Sequence, residues 1–234
     1  MSPLSETAAP SPLETWPPQW SPSVVVLDCD GVLVDTEARW IALQEDYLAR
    51  HGAGLDPAAR RDLTGRPIEV VVTALAEAVG KDPHRTGAEL LAEHEARMSG
   101  PLEPLPGVEA TVRAIAARRP LAVASNSPRD LLEQTIGSLG LADAFDAAIS
   151  LDDVAAAKPA PDLYLAAAAA LDASPTDCLA VEDSETGARA ASAAGMQLIA
   201  VPSLPGQEPV APRRLDSLAD PVLAEWIAGW EVRR

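Results

Sequence analysis

The stretch Val24–Glu37, VVVLDCDGVLVDTE, decides the fold. Val24 to Leu27 is an unbroken apolar run of strand length with no polar alternation, so it reads as a strand buried on both faces. It stops at two aspartates, Asp28 and Asp30, with Cys29 between them and Gly31 next. Side chains alternate along an extended segment, so Asp28 and Asp30 share one side while Cys29 points into the opposite layer. Gly31 then permits a sharp turn. A carboxylate at the end of a buried strand loses solvation, and two of them repel unless a cation or a shared proton compensates. The pair asks for a metal.

Outward from that stretch the pattern repeats. Short apolar runs at Val24–Leu27, Leu121–Ala124, Ala147–Ser150, Cys178–Val181 and Leu198–Val201 alternate with helical segments at Glu109–Arg119, Asp130–Leu139, Asp162–Leu171 and Thr186–Ala194. The last of these carries alanines 188, 191 and 194 on one face, and Asp220–Trp230 closes the fold with Trp226 and Trp230 as packing residues. Strands alternating with helices predict an α/β fold, a Rossmann-like doubly wound parallel sheet. The interval from Leu27 to Leu121 is several times longer than one crossover helix needs, so something is inserted. Residues 38–102 read as helical throughout, with apolar positions at Trp40, Ile41, Leu43, Tyr47 and Leu48, a second run in PIEVVVTALAEAVG (67–80) and a third in GAELLAEHEARMSG (87–100). The expected organisation is a catalytic core of residues 23–37 and 103–234 with an all-helical cap domain at 38–102. An insertion at the carboxyl end of the first strand would lie over the edge where open α/β sheets bind ligands, the geometry of a lid. Residues 1–22, rich in proline and serine, read as a flexible or extended arm, with Trp16 and Trp20 lying against the domain surface.

Composition bounds the function. A chain of 234 residues, 47% hydrophobic, can bury a sizeable core without staples. The two cysteines, Cys29 and Cys178, sit in apolar runs rather than at framework spacings, which favours a reducing, cytoplasmic setting over a disulfide scaffold or a cysteine zinc site. No lysine or arginine precedes Arg39 and no continuous apolar segment occurs near the N-terminus, so neither a signal peptide nor a membrane span is expected. A formal net charge of -17 repels phosphate backbones, which makes nucleic acid an unsuitable partner. An anionic substrate must be drawn by local groups or a metal.

A third acidic group arrives in LAVEDSETG (179–187), where Val181 ends a strand and Glu182 and Asp183 follow. Two strand ends thus bring together carboxylate oxygens of the hard kind suited to Mg²⁺. With these residues in view the sequence resembles the haloacid dehalogenase superfamily of phosphohydrolases with a small helical cap, the type that includes β-phosphoglucomutases and sugar-phosphate phosphatases. The resemblance covers roughly residues 23–205. It implies that Asp28 is the nucleophile and Asp30 the general acid and base. It places phosphate binding on Ser125 and Asn126 in VASNS (123–127) and on Lys158 in KPAPDLYL (158–165), and metal binding on Asp28, Asp30, Glu182 and Asp183. Of the eighteen basic residues only Lys81 and Lys158 are lysines, so a lysine at a motif position is the less incidental. Each element alone has a plainer reading: Asp28 or Asp30 capping a turn, Ser125–Ser127 starting a helix, Glu182 and Asp183 at a helix N-terminus. His51, His84 and His94 lack metal-ligand spacing, and Asp152 and Asp153 serve either a turn or the support of Lys158 and the metal.

The resemblance also places substrate choice in the cap, where LTGRPIE (63–69) makes Thr64, Gly65 and Arg66 the specificity residues. Mutases of the family carry a further cap arginine beyond that glycine; here Ile68 or Glu69 stands there, and Pro128 occupies a position where mutases often have a basic residue. The expected activity is therefore Mg²⁺-dependent hydrolysis of a small phosphorylated metabolite, a sugar, sugar acid or polyol phosphate, through an aspartyl-phosphate. The alternatives are a β-phosphoglucomutase-type phosphosugar mutase and a non-catalytic metabolite-binding protein on the same fold. A dehalogenase is disfavoured because Asp30 and Asp183 are both present. The expected assembly is a monomer or a small homo-oligomer.

Overall fold

A computed structural model describes residues 10–63, 68–98, 102–204 and 206–233. Along the chain the elements are β1 (Val24–Leu27), α1 (Thr36–Arg50), α2 (Pro57–Leu63), α3 (Ile68–Val79), α4 (Pro83–Met98), α5 (Val108–Ala116), β2 (Leu121–Ala124) and α6 (Arg129–Ser138). There follow β3 (Ala147–Ile149), α7 (Asp162–Ala170), β4 (Cys178–Glu182), α8 (Glu185–Ala193), β5 (Gln197–Ala200), β6 (Arg213–Arg214) and α9 (Pro221–Ala228). They form two compact units: one of residues up to Asp35 and from Glu103 onward, the other of Thr36–Leu102.

The first unit is built on a six-stranded parallel sheet in the order β3-β2-β1-β4-β5-β6. The α/β doubly wound class is the one the apolar runs predict. β1 lies between β2 and β4, so the chain leaves its centre in both directions, and the ends of these three strands flank the switch point where such sheets bind ligands. Each face of the sheet has its own core. Val25, Leu27 and Cys29 join Val112, Ile115, Leu132, Leu223 and Trp226 on one side. Val24 and Val26 meet Leu163, Tyr164, Ala188 and Ala191 on the other, where alanines let α8 lie close to the strands. The alternation read from β1 is thus observed, with Cys29 in the layer opposite Val24 and Val26. β6 was not foreseen: it is two arginines, Arg213 and Arg214, paired to Ile199 and Ala200, and it lacks any apolar signature.

The arm meets its expectation in part: Trp16 and Trp20 lie against the core as read, but residues 10–22 are not flexible. Over its described part, residues 10–22 are laid down on the core rather than free of it: Leu13 is fully buried, and Trp16 and Trp20 pack against Trp226. Backbone groups that proline-rich sequence leaves without partners are taken by side chains of the core: Arg213 donates to the Leu13 carbonyl, Arg119 to Pro22 and Trp226 Nε1 to Trp20. Burial of large apolar groups outweighs the lack of local structure. Residues 1–9 lie outside the described part.

The second unit packs α1, α3 and α4 around Leu43, Tyr47, Leu48, Val71, Leu75 and Leu90. Its helix α2 falls within the interval read as helical throughout; it is short and polar, and its start is marked: Asp56 accepts from the backbone N–H groups of Ala58 and Ala59, and Pro57 opens the turn. Tyr47 donates to Glu89, which also takes Lys81, and Trp40 meets His94 edge to face. His51 lies within hydrogen-bonding distance of the Tyr47 carbonyl, a packing role like that of His94. Among the described residues no helix is long and apolar enough to cross a membrane.

Candidate active site

Three strand ends and one loop build the site. Asp28 follows β1 and is buried, its N–H donating to the Val181 carbonyl of β4. The chain then turns at Gly31, with φ +86°, where a Cβ would stand 2.0 Å from Asp183 Oδ2. Only glycine fits both that conformation and that close approach. Ser125, at the end of β2, is fully buried and donates to Asp30 Oδ2 at 2.9 Å; Ser127 donates to the same oxygen at 3.1 Å. Exposed Asn126 accepts from the backbone N–H of Lys158 at 2.9 Å, tying the end of β2 to the loop before α7.

Lys158 stands at the centre of the group. Its Nζ donates to Asp28 Oδ1, to Glu182 Oε1 at 2.6 Å and to the Ala124 carbonyl at 3.0 Å. Glu182 ends β4 with no exposed surface and is held on both oxygens: Oε1 also accepts from the Tyr164 hydroxyl at 2.8 Å, and Oε2 from the N–H groups of Asp183 and Ser184 and the Ser184 hydroxyl. Gly187, in the first turn of α8, makes room for it, since a Cβ there would come within 1.7 Å of Oε1. Asp183 Oδ2 accepts from Ser203 in the loop after β5 at 2.6 Å.

The electrostatics follow from burial. Loss of solvation pushes the Asp28 carboxyl well above the usual range; Lys158 opposes the shift, and Glu182, Asp183 and Asp30 add to it. Burial works against the Lys158 charge, but Asp28, Tyr164 and Glu182 outweigh it and hold the ammonium well above its ordinary value. Glu182 is also penalised by burial, yet Lys158, Tyr164 and Ser184 keep its value below normal. Desolvation raises Asp183 to about 6 against the pull of Ser203. Burial and Glu182 raise the Tyr164 phenol, so it remains a donor.

Asp28, Glu182 and Asp183 each offer an oxygen within 4.8 Å of the others, so the group could hold a metal ion. One ammonium facing three carboxylates leaves the site acidic, and an all-oxygen donor set suits a hard divalent cation.

Among the residues singled out in the sequence, Asp28, Lys158, Glu182 and Asp183 converge. Asp30 differs: its carboxylate is outside the acidic group and turns to the serine hydroxyls, because the chain bends at Gly31 and Ser125 and Ser127 offer two donors on that side. Asp152 and Asp153 serve the turn: Asp152 accepts from the Arg129 N–H, while Asp153 caps Ser150 and pairs with Arg129. Thr64, Gly65 and Arg66 lie outside the described residues. Tyr164, Gly187 and Ser203 went unread. KPAPDLYL and EDSETG contain the first two, but only side-chain placement shows that they meet Glu182.

A doubly wound core that gathers buried carboxylates at its switch point defines an α/β enzyme whose chemistry rests on acidic groups. The chain matches the haloacid dehalogenase-like hydrolases over residues 22–195 and belongs to that family. It is 34% identical over 179 residues to fructose-1-phosphate phosphatase YqaB of Escherichia coli, covering 76% of this chain and 95% of that protein. It is 35% identical over 188 residues to hexitol phosphatase B of the same species, covering 76% of this chain and 82% of that one. Among solved structures, a HAD family hydrolase of Deinococcus radiodurans with bound phosphate and sodium superposes with a TM-score of 0.72 at 31% identity, over 87% of this chain and 96% of its own.

Proposed function

We propose that this hydrolase is a Mg²⁺-dependent phosphatase of a small phosphorylated metabolite, a sugar, sugar acid or polyol phosphate, with Asp28 as nucleophile. The observation that carries the reading is the buried pairing of Asp28 with Lys158 beside Glu182 and Asp183, at the switch point of the sheet. Relatives that act on fructose 1-phosphate and hexitol phosphates support the substrate class.

Asp28, Glu182 and Asp183 are the residues that would hold the cation. When bound, it would supply positive charge that offsets the repulsion between a carboxylate nucleophile and a phosphoryl dianion. The chain's own groups do the rest. A carboxylate oxygen of Asp28 attacks phosphorus in line as the bond to the leaving alkoxide breaks. Asp30 gives that alkoxide a proton and then takes one from the water that attacks the aspartyl-phosphate, releasing inorganic phosphate and restoring Asp28. Lys158 holds the nucleophile in place, and its ammonium would form the phosphate cradle with the Ser125 hydroxyl once that hydroxyl's one proton turns from Asp30 to a phosphoryl oxygen, Asn126 fixing the loop that carries the lysine. In the same reading the helical unit is the cap, and Thr64, Gly65 and Arg66 sort substrates by what is attached to the phosphate.

The test is phosphate release from a panel of sugar, polyol and sugar-acid monophosphates with and without Mg²⁺, beside Asp28→Asn, with glucose 1-phosphate followed for conversion to glucose 6-phosphate. Metal-dependent release that disappears in the variant is the expected result. Isomer formation without net phosphate, or ligand binding without turnover, overturns it.

A further inference from the structure

Tyr164 is buried and belongs to none of the roles above. It sits in the first turn of α7, six positions after Lys158, and is wedged with Leu163, Ala167 and Ala168 into the core on one face of the sheet. Its hydroxyl donates to Glu182 Oε1 at 2.8 Å, the same oxygen that accepts from Lys158 Nζ. Its ring lies under that ammonium, 5.0 Å from centroid to Nζ. A phenylalanine would fill the same space. What the tyrosine adds is a directed donor to a charged oxygen where unsolvated groups interact strongly.

We infer that Tyr164 is a positioning residue, which through Glu182 and Lys158 fixes the carboxylates of the cation site and the nucleophile they flank. Lys158 is shared between Asp28, Glu182 and the Ala124 carbonyl, so any rotation of Glu182 redistributes its contacts. Glu182 Oε2 is held by the start of α8. Among the described residues Oε1 accepts only from the Lys158 ammonium, which is shared with two other acceptors, and from this phenol. Because α7 packs Tyr164 rigidly, the phenol is the fixed post against which that end of the carboxylate is set. The inference rests on the proposed cation site and adds to it a residue that touches neither substrate nor cation.

The experiment is titration calorimetry of the metal-free full-length chain with Mg²⁺, comparing wild type with Tyr164→Phe, beside the thermal midpoint of each metal-free protein. Removal of a hydrogen bond that orients a ligand weakens metal affinity by about 10–100-fold, and a loss of about tenfold is expected here. Tyr164→Met provides the same comparison should Tyr164→Phe fail to fold. A Kd within threefold of wild type overturns the inference, whether or not the midpoint falls, since a packing role moves only the midpoint. If wild type itself binds no Mg²⁺, the cation site and this inference fall together; if wild type binds it and the variant binds equally well, this inference falls alone.

Discussion

Asp28 and Ser203 show how differently single residues declare themselves. Asp28→Asn keeps the size of the side chain and leaves Lys158 an acceptor, but an amide cannot act as the nucleophile. Turnover is expected to fall by at least about 10³-fold, with an unchanged circular dichroism spectrum, and near-normal phosphate release would remove Asp28 from its role. Ser203→Ala takes from Asp183 its hydroxyl donor across 2.6 Å. About tenfold weaker Mg²⁺ binding is expected with little change in substrate KM at saturating metal, and equal affinities would show that Asp183 needs no such support. Asp28 is legible because a carboxylate ending a valine run contradicts its surroundings. Ser203 is not, because a serine after a strand is ordinary and its partner lies twenty residues earlier in the chain. Tyr164 is hidden for a related reason: in an alanine-rich helix it reads as core filling, which by volume it is.

Among the elements, α8 and the arm carry the sharpest tests. Gly187→Ala raises helix propensity by up to about 1 kcal/mol, yet its Cβ would fall 1.7 Å from Glu182 Oε1. Glu182 has to move, so the variant should bind Mg²⁺ at least about tenfold more weakly, and calorimetry showing wild-type affinity would mean that Glu182 has another place to go. In the arm, Leu13 is fully buried although it belongs to a short proline-led turn. Leu13→Ala should cost about 2–5 kcal/mol, read as a lower denaturant midpoint at unchanged slope; a loss below about 0.5 kcal/mol would show the arm to be only loosely laid down. Strands β1 to β5 were readable element by element, because both faces are covered and each is essentially an apolar run, whereas the two-arginine β6 was not. The arm was not, since its order comes from Trp226, Arg119 and Arg213, all far along the sequence. Helix α2 carried its own signal in Asp56–Pro57, a start without an apolar face to follow it.

For the whole molecule, burial of the acidic group links stability to pH and to the cation. Asp183 rises from its ordinary 3.8 to about 6 on folding, so its neutral form is the favoured one in the folded chain. Its contribution is therefore fully present below about pH 4 and is lost as pH rises through about 6. A divalent cation needs the carboxylate, so the gain in thermal midpoint on adding Mg²⁺ should be small at pH 5 and large at pH 7.5. A gain that does not change across that interval would place the cation away from Asp183. The same contrast between local pattern and distant contact divides what could be known in advance. The sequence by itself determined the class of fold, the order along the chain of β1 to β5 and the core helices between them, and the strand ends at which Asp28, Ser125, Glu182 and Asp183 stand, because burial and backbone periodicity are local and leave their mark residue by residue. Only the tertiary structure decided that Asp30 turns to Ser125 and Ser127, that Lys158 bridges Asp28 and Glu182, that Tyr164, Gly187 and Ser203 shape the acidic group, and that the proline-rich arm is docked. Those outcomes depend on which side chains meet across the fold, and the energy of such meetings is absent from any single stretch of chain.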